Sequence, residues 1–333
     1  MPCANIQCSI THFTGASTLS IIGAADLNTL SDGPMHTAIP RRAFLTGASA
    51  LGLAACTSRP ADRLLGHTIV GNGPETVVVM HEWLGDHGNY DDALPYLSSG
   101  AARWVFADLR GYGLSRDLSG SYSLTEAAED IVALMDAQGA ATFHVVGHSM
   151  TGMLAQYMAA RWPDRVRSVV AISPVPATGF KADATALAKL RAVITDDNAL
   201  RAAVTARTGN RYGPGWLERK VAMARRAQPA AMYGYLDMFT GNDFSDKAVG
   251  LSQPATLIVG AHDIAYYGRA ALEPALRRAF TRLDVAVVAE AGHYSMVETP
   301  VLLASLVERS VLSAASGRAA QGAPNSSSRI TTA

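Results

Sequence analysis

An alternation running from about residue 67 to about residue 312 restricts the fold of this chain more than any other feature. Short runs rich in β-branched residues recur at Val77–Met80, Trp104–Ala107, Phe143–Val146, Ser168–Ile172, Ala255–Val259 and Asp284–Val288. Each is too short for a helix and nearly continuous in apolar residues, as expected of strands buried on both faces. Segments of helical pattern separate them. In "SLTEAAEDIVALMDAQG", Ser123 and Glu126 stand at capping-box spacing and Gly139 supplies a stop. A second helix over Met150–Trp162 ends at Pro163. Strands alternating with helices need crossover connections, so the expected class is α/β: a mainly parallel central sheet with helices on both faces. Almost half of the residues are hydrophobic and only 17% are charged, enough for a large core. The turn signal Gly71-Asn72-Gly73-Pro74 predicts a hairpin at the first edge of the sheet. Between about 177 and 250 only helical stretches occur, such as "DDNALRAAVTARTG". That interval predicts a helical lid, laid over the strand ends of a core formed by residues 67–176 and 251–312.

The flanks read as address and tail. Residues 39–56, "IPRRAFLTGASALGLAAC", join Arg41-Arg42 to a short apolar stretch and a cysteine. The run from Phe44 to Ala55 falls short of the roughly 20 apolar residues that a bilayer span needs, and it suits the apolar part of an export signal. The arginine pair resembles a twin-arginine signal. Leu53-Ala54-Ala55-Cys56 resembles a lipobox, in which Cys56 would carry the lipid. Residues 35–56 are therefore expected to be an export signal starting at Met35, with 1–34 an over-extended start. The expected location is the periplasm or cell envelope, with any membrane attachment made through Cys56. No cysteine follows Cys56, so the body holds neither disulfide nor zinc thiolate. Residues 315–333 are small, polar and patternless, and are expected to be disordered. Lys+Arg and Asp+Glu balance at 28 each, which gives no electrostatic pull toward nucleic acid.

Gly147-His148-Ser149-Met150-Thr151-Gly152 follows one predicted strand directly and opens a helix. A serine on such a strand-turn-helix corner either caps the helix or is an exposed nucleophile. Serine is a weak nucleophile near neutral pH and needs a base oriented by a carboxylate. In an open α/β sheet these come from loops at the carboxyl ends of later strands. Asp263 lies in "GAHDIAYYG" after "ATLIVG", and His293 lies in "AGHYSMVETP" after "DVAVVAE". Ser149, Asp263 and His293 thus stand in the order and context of a catalytic triad.

Residues from about 67 to 312 resemble the α/β-hydrolase superfamily, and "FADLRGYGLS" and "GHYSMVETP" are similar to its epoxide-hydrolase and haloperoxidase-like branch. The resemblance implies a Ser149 nucleophile, a His293 base and an Asp263 orienting acid. Epoxide hydrolases and haloalkane dehalogenases use an aspartate at the elbow, where this chain has serine. By resemblance to "HG-x" loops, the oxyanion hole would be formed by the backbone N–H groups of Trp83 and Met150. Two departures stand out. Thr151 replaces the second glycine of G-x-S-x-G, either widening the turn or meeting substrate. Glu82 replaces the glycine after His81, and solvent or an arginine is its expected partner.

The stretch "HEWLGDH" begins like a zinc-protease helix, but the fourth residue after His81 is Gly85, and His87 falls on another face. No metal or cofactor is expected. His148 and Asp108 read as structural, Asp108 holding the "RGYG" turn. Met232, Tyr235, Leu236 and Phe239 share a helical face; Met232, Tyr235 and Phe239 are candidate pocket residues. The expected function is cleavage of a small apolar ester through an acyl-enzyme, with the small-molecule substrate as the partner. Carbon–carbon or amide hydrolysis, or a non-catalytic binding role in the same pocket, are the alternatives.

Overall fold

Seven strands form along the alternation. The computed structural model describes residues 64–322, so the expected export signal, Cys56 and the stretch before Met35 lie outside the described residues. The strands are β1 (His67–Val70), β2 (Glu75–Met80), β3 (Ala102–Ala107), β4 (Phe143–His148), β5 (Val166–Ile172), β6 (Ala255–Gly260) and β7 (Leu283–Val288). They lie in the order β1-β3-β2-β4-β5-β6-β7, with β1 antiparallel to β3 and the remaining pairs parallel. The central strands β2, β4 and β5 bury nearly every side chain, as their unbroken apolar runs require.

The hairpin expected at the first edge does not form, because β1 pairs with β3 rather than with its sequence neighbour β2. Both sides of β2 are occupied, by β3 and by β4. A further strand can add only at the free side of β3. The Gly71–Pro74 turn serves to cross past β3, with Asn72 N–H donating to the Ser99 carbonyl at 2.9 Å.

The helices are α1 (Leu124–Ala137), α2 (Met150–Arg161), α3 (Ala184–Thr195), α4 (Asp197–Arg207), α5 (Pro214–Ala224), α6 (Pro229–Gly241), α7 (Arg269–Ala279), α8 (Ser295–Glu298) and α9 (Pro300–Gly322). Local chemistry sets their starts. Ser123, Asp183 and Asp196 cap α1, α3 and α4 by accepting first-turn N–H groups, and proline occupies the first turn of α5 and α6. Helices α3 to α6 all stand between β5 and β6. Helix α9 runs to Gly322, and residues 323–333 of the expected tail lie outside the described residues.

The strand order positions the site. From β2 the chain turns to β3 on one side, whereas from β4 it proceeds to β5 on the other. The reversal lies between β2 and β4, where connections diverge and leave a crevice at the carboxyl ends. Met80 and Gly147 are register partners there. The loop beginning at His81 and the corner at Ser149 therefore emerge side by side.

Candidate active site

Ser149 occupies the single position between β4 and α2, with φ 54° and ψ −114°. A non-glycine residue in such a region costs on the order of 1–3 kcal/mol and must be held by its surroundings. Its N–H donates to the Ile172 carbonyl at 2.9 Å, and its own carbonyl accepts from Gly152 and Val175 at 3.0 and 2.9 Å. A methyl on Gly147 would run into the Thr151 carbonyl, and one on Gly152 into Pro174, so strand and helix approach as closely as the corner demands. Thr151, in place of the usual glycine, does not face outward. It is fully buried. Its Oγ1 accepts the His148 N–H at 2.9 Å and faces the carbonyls of His81, His148 and Met80 at 2.9, 3.0 and 3.2 Å. The hydroxyl thereby stitches the ends of β2 and β4 together.

Asp263 and His293 come from two strands further along the sheet. Asp263 Oδ1 accepts the Ile264 N–H at 2.8 Å, and Oδ2 lies 2.6 Å from His293 Nδ1. A carboxylate there places the proton on Nδ1 and leaves Nε2 basic. The loop after β7 must reach back over β6 and β5 to approach Ser149, and three contacts hold it. The His293 N–H donates to the Arg207 carbonyl at 2.8 Å. The His293 carbonyl accepts from His148 Nε2, also at 2.8 Å. Glu298, whose carboxyl is raised by burial, accepts N–H groups from both residues flanking His293, Gly292 and Tyr294, at 2.8 Å each. His148, read from sequence as structural, thus links the residue before the serine to the backbone of the histidine. Burial, then the neighbouring His293, lowers its pKa well below the usual range, and it stays neutral. The Tyr267 ring lies tilted at 53° to that of His293, with centres 4.4 Å apart, and its hydroxyl sits beside the Ser149 side chain. No sequence signal separated Tyr267 from the other tyrosines.

"HEWLGDH" forms the loop after β2. His81 donates from Nδ1 to the Glu82 carbonyl at 2.7 Å, while Nε2 accepts the Leu109 N–H at 3.1 Å. His87 pairs with Asp108 at 2.6 Å, and Asp108 also receives the Leu114 N–H of the following turn at 2.7 Å. Among the described residues no group of three or more His, Cys, Asp and Glu converges as a metal site. The His81 bond has a geometric consequence. In a trans peptide the carbonyl and N–H point in opposite directions. Holding the Glu82 carbonyl therefore aims the Trp83 N–H the other way. The Trp83 carbonyl accepts from Tyr112 Oη at 3.0 Å, and its indole N–H donates to the Met232 carbonyl at 2.9 Å. Met150, as the first residue of α2, has an N–H with no acceptor four residues back in the helix.

Glu82 faces neither solvent nor an arginine. Its carboxylate accepts the Leu84 N–H, Asn89 Nδ2 at 3.1 Å and Lys220 Nζ at 3.2 Å. Lys220 comes from α5, also donates to Asn89 Oδ1 at 2.7 Å, and lies 4.3 Å over the Tyr294 ring. Burial alone would raise the Glu82 pKa. Lys220 foremost, with the Leu84 N–H among the lesser causes, overcomes it and holds the carboxyl at about 2. Burial draws Lys220 downward against the pull of Glu82. The Glu82 direction governs the pair, because its carboxylate has two further N–H donors and, once ionised, favours the ammonium.

The predicted pocket residues divide. Phe239 lies 5.6 Å from the Trp83 ring and continues through Phe180 toward Tyr267. Tyr235 instead packs between Tyr112 and Tyr122, and Met232 meets the site through its carbonyl. Ser149 and His293 are only 6% and 2% exposed. An open groove of about 850 Å³ lies elsewhere, lined by Thr256, Leu283 and Arg309 at the amino ends of β6 and β7, opposite the site.

A mostly parallel sheet with a strained corner serine at its point of reversal defines an α/β protein of hydrolase architecture. A family model described as alpha/beta hydrolase fold matches residues 75–300, and the chain belongs to that family. A dihydrolipoyllysine-residue acetyltransferase component of an acetoin cleaving system from Cupriavidus necator is 39% identical over 105 residues, 32% of this chain and 28% of that protein. A pimeloyl-[acyl-carrier protein] methyl ester esterase from Nitrosomonas europaea is 26% identical over 206 residues, covering 58% of this chain and 79% of the esterase. The crystal structure of an enol-lactonase from Burkholderia xenovorans LB400 superposes with a TM-score of 0.65 at 23% identity, covering 74% of this chain and 96% of that one. At that identity the likeness is one of fold. The chain spans about a third of the length of several curated relatives it matches.

Proposed function

We propose that the protein is a serine hydrolase that cleaves a small carboxylic ester through an acyl-enzyme. Ser149 Oγ attacks the acyl carbonyl and gives its proton to His293 Nε2, while Asp263 holds the imidazole through Nδ1. The carbonyl oxygen, becoming an oxyanion, is received by the N–H groups of Trp83 and Met150. Collapse of the tetrahedral species expels the alcohol, which takes the proton from His293. Water, deprotonated by the same imidazole, then releases the acid. The observation that carries this reading is the convergence of a strained corner serine with a histidine whose carbonyl is tied to that corner through His148, and whose Nδ1 faces Asp263 at 2.6 Å. The relation to an ester hydrolase supports the choice of ester. The apolar wall of Trp83, Phe239 and Phe180 supports an apolar acyl or alcohol group. The low exposure of Ser149 supports reading the helices between β5 and β6 as a lid that opens to admit substrate. Export through residues 35–56, with lipidation at Cys56, is part of the same proposal, and intact-mass analysis of membrane-extracted protein tests it.

The deciding experiment combines fluorophosphonate labelling with turnover of p-nitrophenyl esters of graded acyl length, on wild type and Ser149→Ala. Labelling of Ser149 and hydrolysis by wild type alone are expected. An unlabelled, inactive wild type would make the site a binding pocket without catalysis.

A further inference from the structure

The helices between β5 and β6 carry one buried ammonium to the loop after β2, and the acyl-transfer steps give it no chemistry. The Lys220 and Glu82 side chains are 1% and 2% exposed. Burying such a pair is costly, and a well-packed apolar pair would often serve stability as well or better. Its location gives the reason for its presence. Glu82 precedes Trp83, whose N–H is the proposed oxyanion donor, and its carboxylate folds forward onto the Leu84 N–H, closing the turn around residue 83. The peptide is held from the core side by His81 and Tyr112. From the inserted helices it is held by Met232 of α6 through the indole, and by Lys220 of α5 through Glu82.

We propose that Lys220 is a positioning residue of the oxyanion hole: seating α5 sets its ammonium against Glu82, which closes the 82–84 turn and fixes the Trp83 N–H. The hole is then complete only while the inserted helices are docked, so access to the site and readiness of the site are coupled. This rests on the Ser149 reading. Among the described residues, the hydrogen-bond partners of the Glu82 carboxylate are Leu84, Asn89 and Lys220. The other ionisable groups electrostatically coupled to it are His148 of β4, His293 and Tyr294 after β7, Arg207 of α4, and Tyr90, Tyr112 and Tyr267. None of these hydrogen-bonds it in place of Lys220. Without Lys220 the Glu82 carboxylate, when ionised, is a buried charge without its counterion; it swings from the Leu84 N–H toward water and the turn loosens, whereas the protonated acid still accepts the Leu84 N–H through its carbonyl oxygen.

The test uses the full chain as wild type, Lys220→Met and Glu82→Gln/Lys220→Met. Fluorophosphonate labelling, circular dichroism, and kcat and KM for p-nitrophenyl acetate are measured from about pH 5 to about pH 9. Lys220→Met should lose roughly 10- to 100-fold in kcat with KM within about twofold, since one oxyanion donor is displaced rather than removed. Its kcat should fall as pH rises and Glu82 ionises, a limb that wild type lacks. The double variant, in which glutamine still accepts the Leu84 N–H and no charge is stranded, should recover at least about tenfold over the single variant and lose the added limb. It also stands as the test should Lys220→Met fail to fold: a folded double variant with kcat near wild type supports the proposal. A Lys220→Met enzyme with wild-type kcat and pH profile overturns it, as does a folded double variant without that activity. If wild type itself is not labelled at Ser149, the serine reading fails and this inference with it; a labelled wild type matched by Lys220→Met removes the inference alone.

Discussion

Replacing Thr151 by valine keeps the shape of the elbow and removes only the hydroxyl. The His148 N–H loses its acceptor at 2.9 Å, and the His81 carbonyl loses a donor at the same distance. The Met80 carbonyl keeps Tyr90 Oη at 3.2 Å and is spared. Stranding a buried N–H costs about 1–3 kcal/mol, and the lost hydroxyl bond adds about 1, so the loss should be about 2–4 kcal/mol. For a body of this size that corresponds to a fall in Tm of roughly 5–15 °C. Thr151→Ser keeps the oxygen and loses one buried methyl, about 1 kcal/mol. Thr151→Gly restores the commoner elbow glycine, yet should be no better than valine. Urea unfolding followed by circular dichroism ranks the three. A valine variant within about 0.5 kcal/mol of wild type, or a serine variant less stable than valine, would refute the argument that the hydroxyl joins β2 to β4.

Three further outcomes are expected. Asp263→Asn favours the wrong His293 tautomer and should cut kcat for p-nitrophenyl esters by roughly 10⁴ with little change in KM; a loss under about tenfold would remove Asp263 from its role. Glu82, with its pKa lowered from 4.5 to about 2, contributes stability that is present above the ordinary glutamate value and lost as pH falls through about 2. That contribution is on the order of 3 kcal/mol, so the stability gap between wild type and Glu82→Gln should narrow from about pH 5 to about pH 2 in urea melts; a constant gap would contradict the pairing. In Gly292→Ala the new methyl meets the Arg207 carbonyl that receives the His293 N–H, and kcat should fall at least about tenfold while Tm drops; an unchanged kcat would show the contact to be yielding.

What the chain disclosed in advance depended on how local its cause was. Ser149, Asp263 and His293 each stand a few residues beyond an apolar run, so strand pattern and residue type together placed them at the same ends of the sheet. The Glu82–Lys220 pair spans 138 residues and joins a loop to a helix of the insertion. No periodicity connects them, and only the packing of α5 on the β2 loop brings them together. Thr151 reads as a blemish in a glycine motif until three carbonyls are seen around its oxygen. The turn at Gly71–Pro74 was legible, but its outcome was not, because the pairing of β1 depends on which sheet edges later strands occupy.

The two backbone bonds of His293 bear on modularity. Its N–H is held by the carbonyl of Arg207 at the end of α4, and its own carbonyl by the ring of His148 at the elbow. One anchor belongs to the insertion and the other to the core that carries the sheet. An enzyme engineer who grafts foreign helices between β5 and β6 to alter selectivity would also remove one of the contacts that mount the imidazole. A transplantable unit would have to carry a carbonyl at the position of residue 207, matched to the loop after β7. In this protein the insertion is part of the chassis as well as a cover.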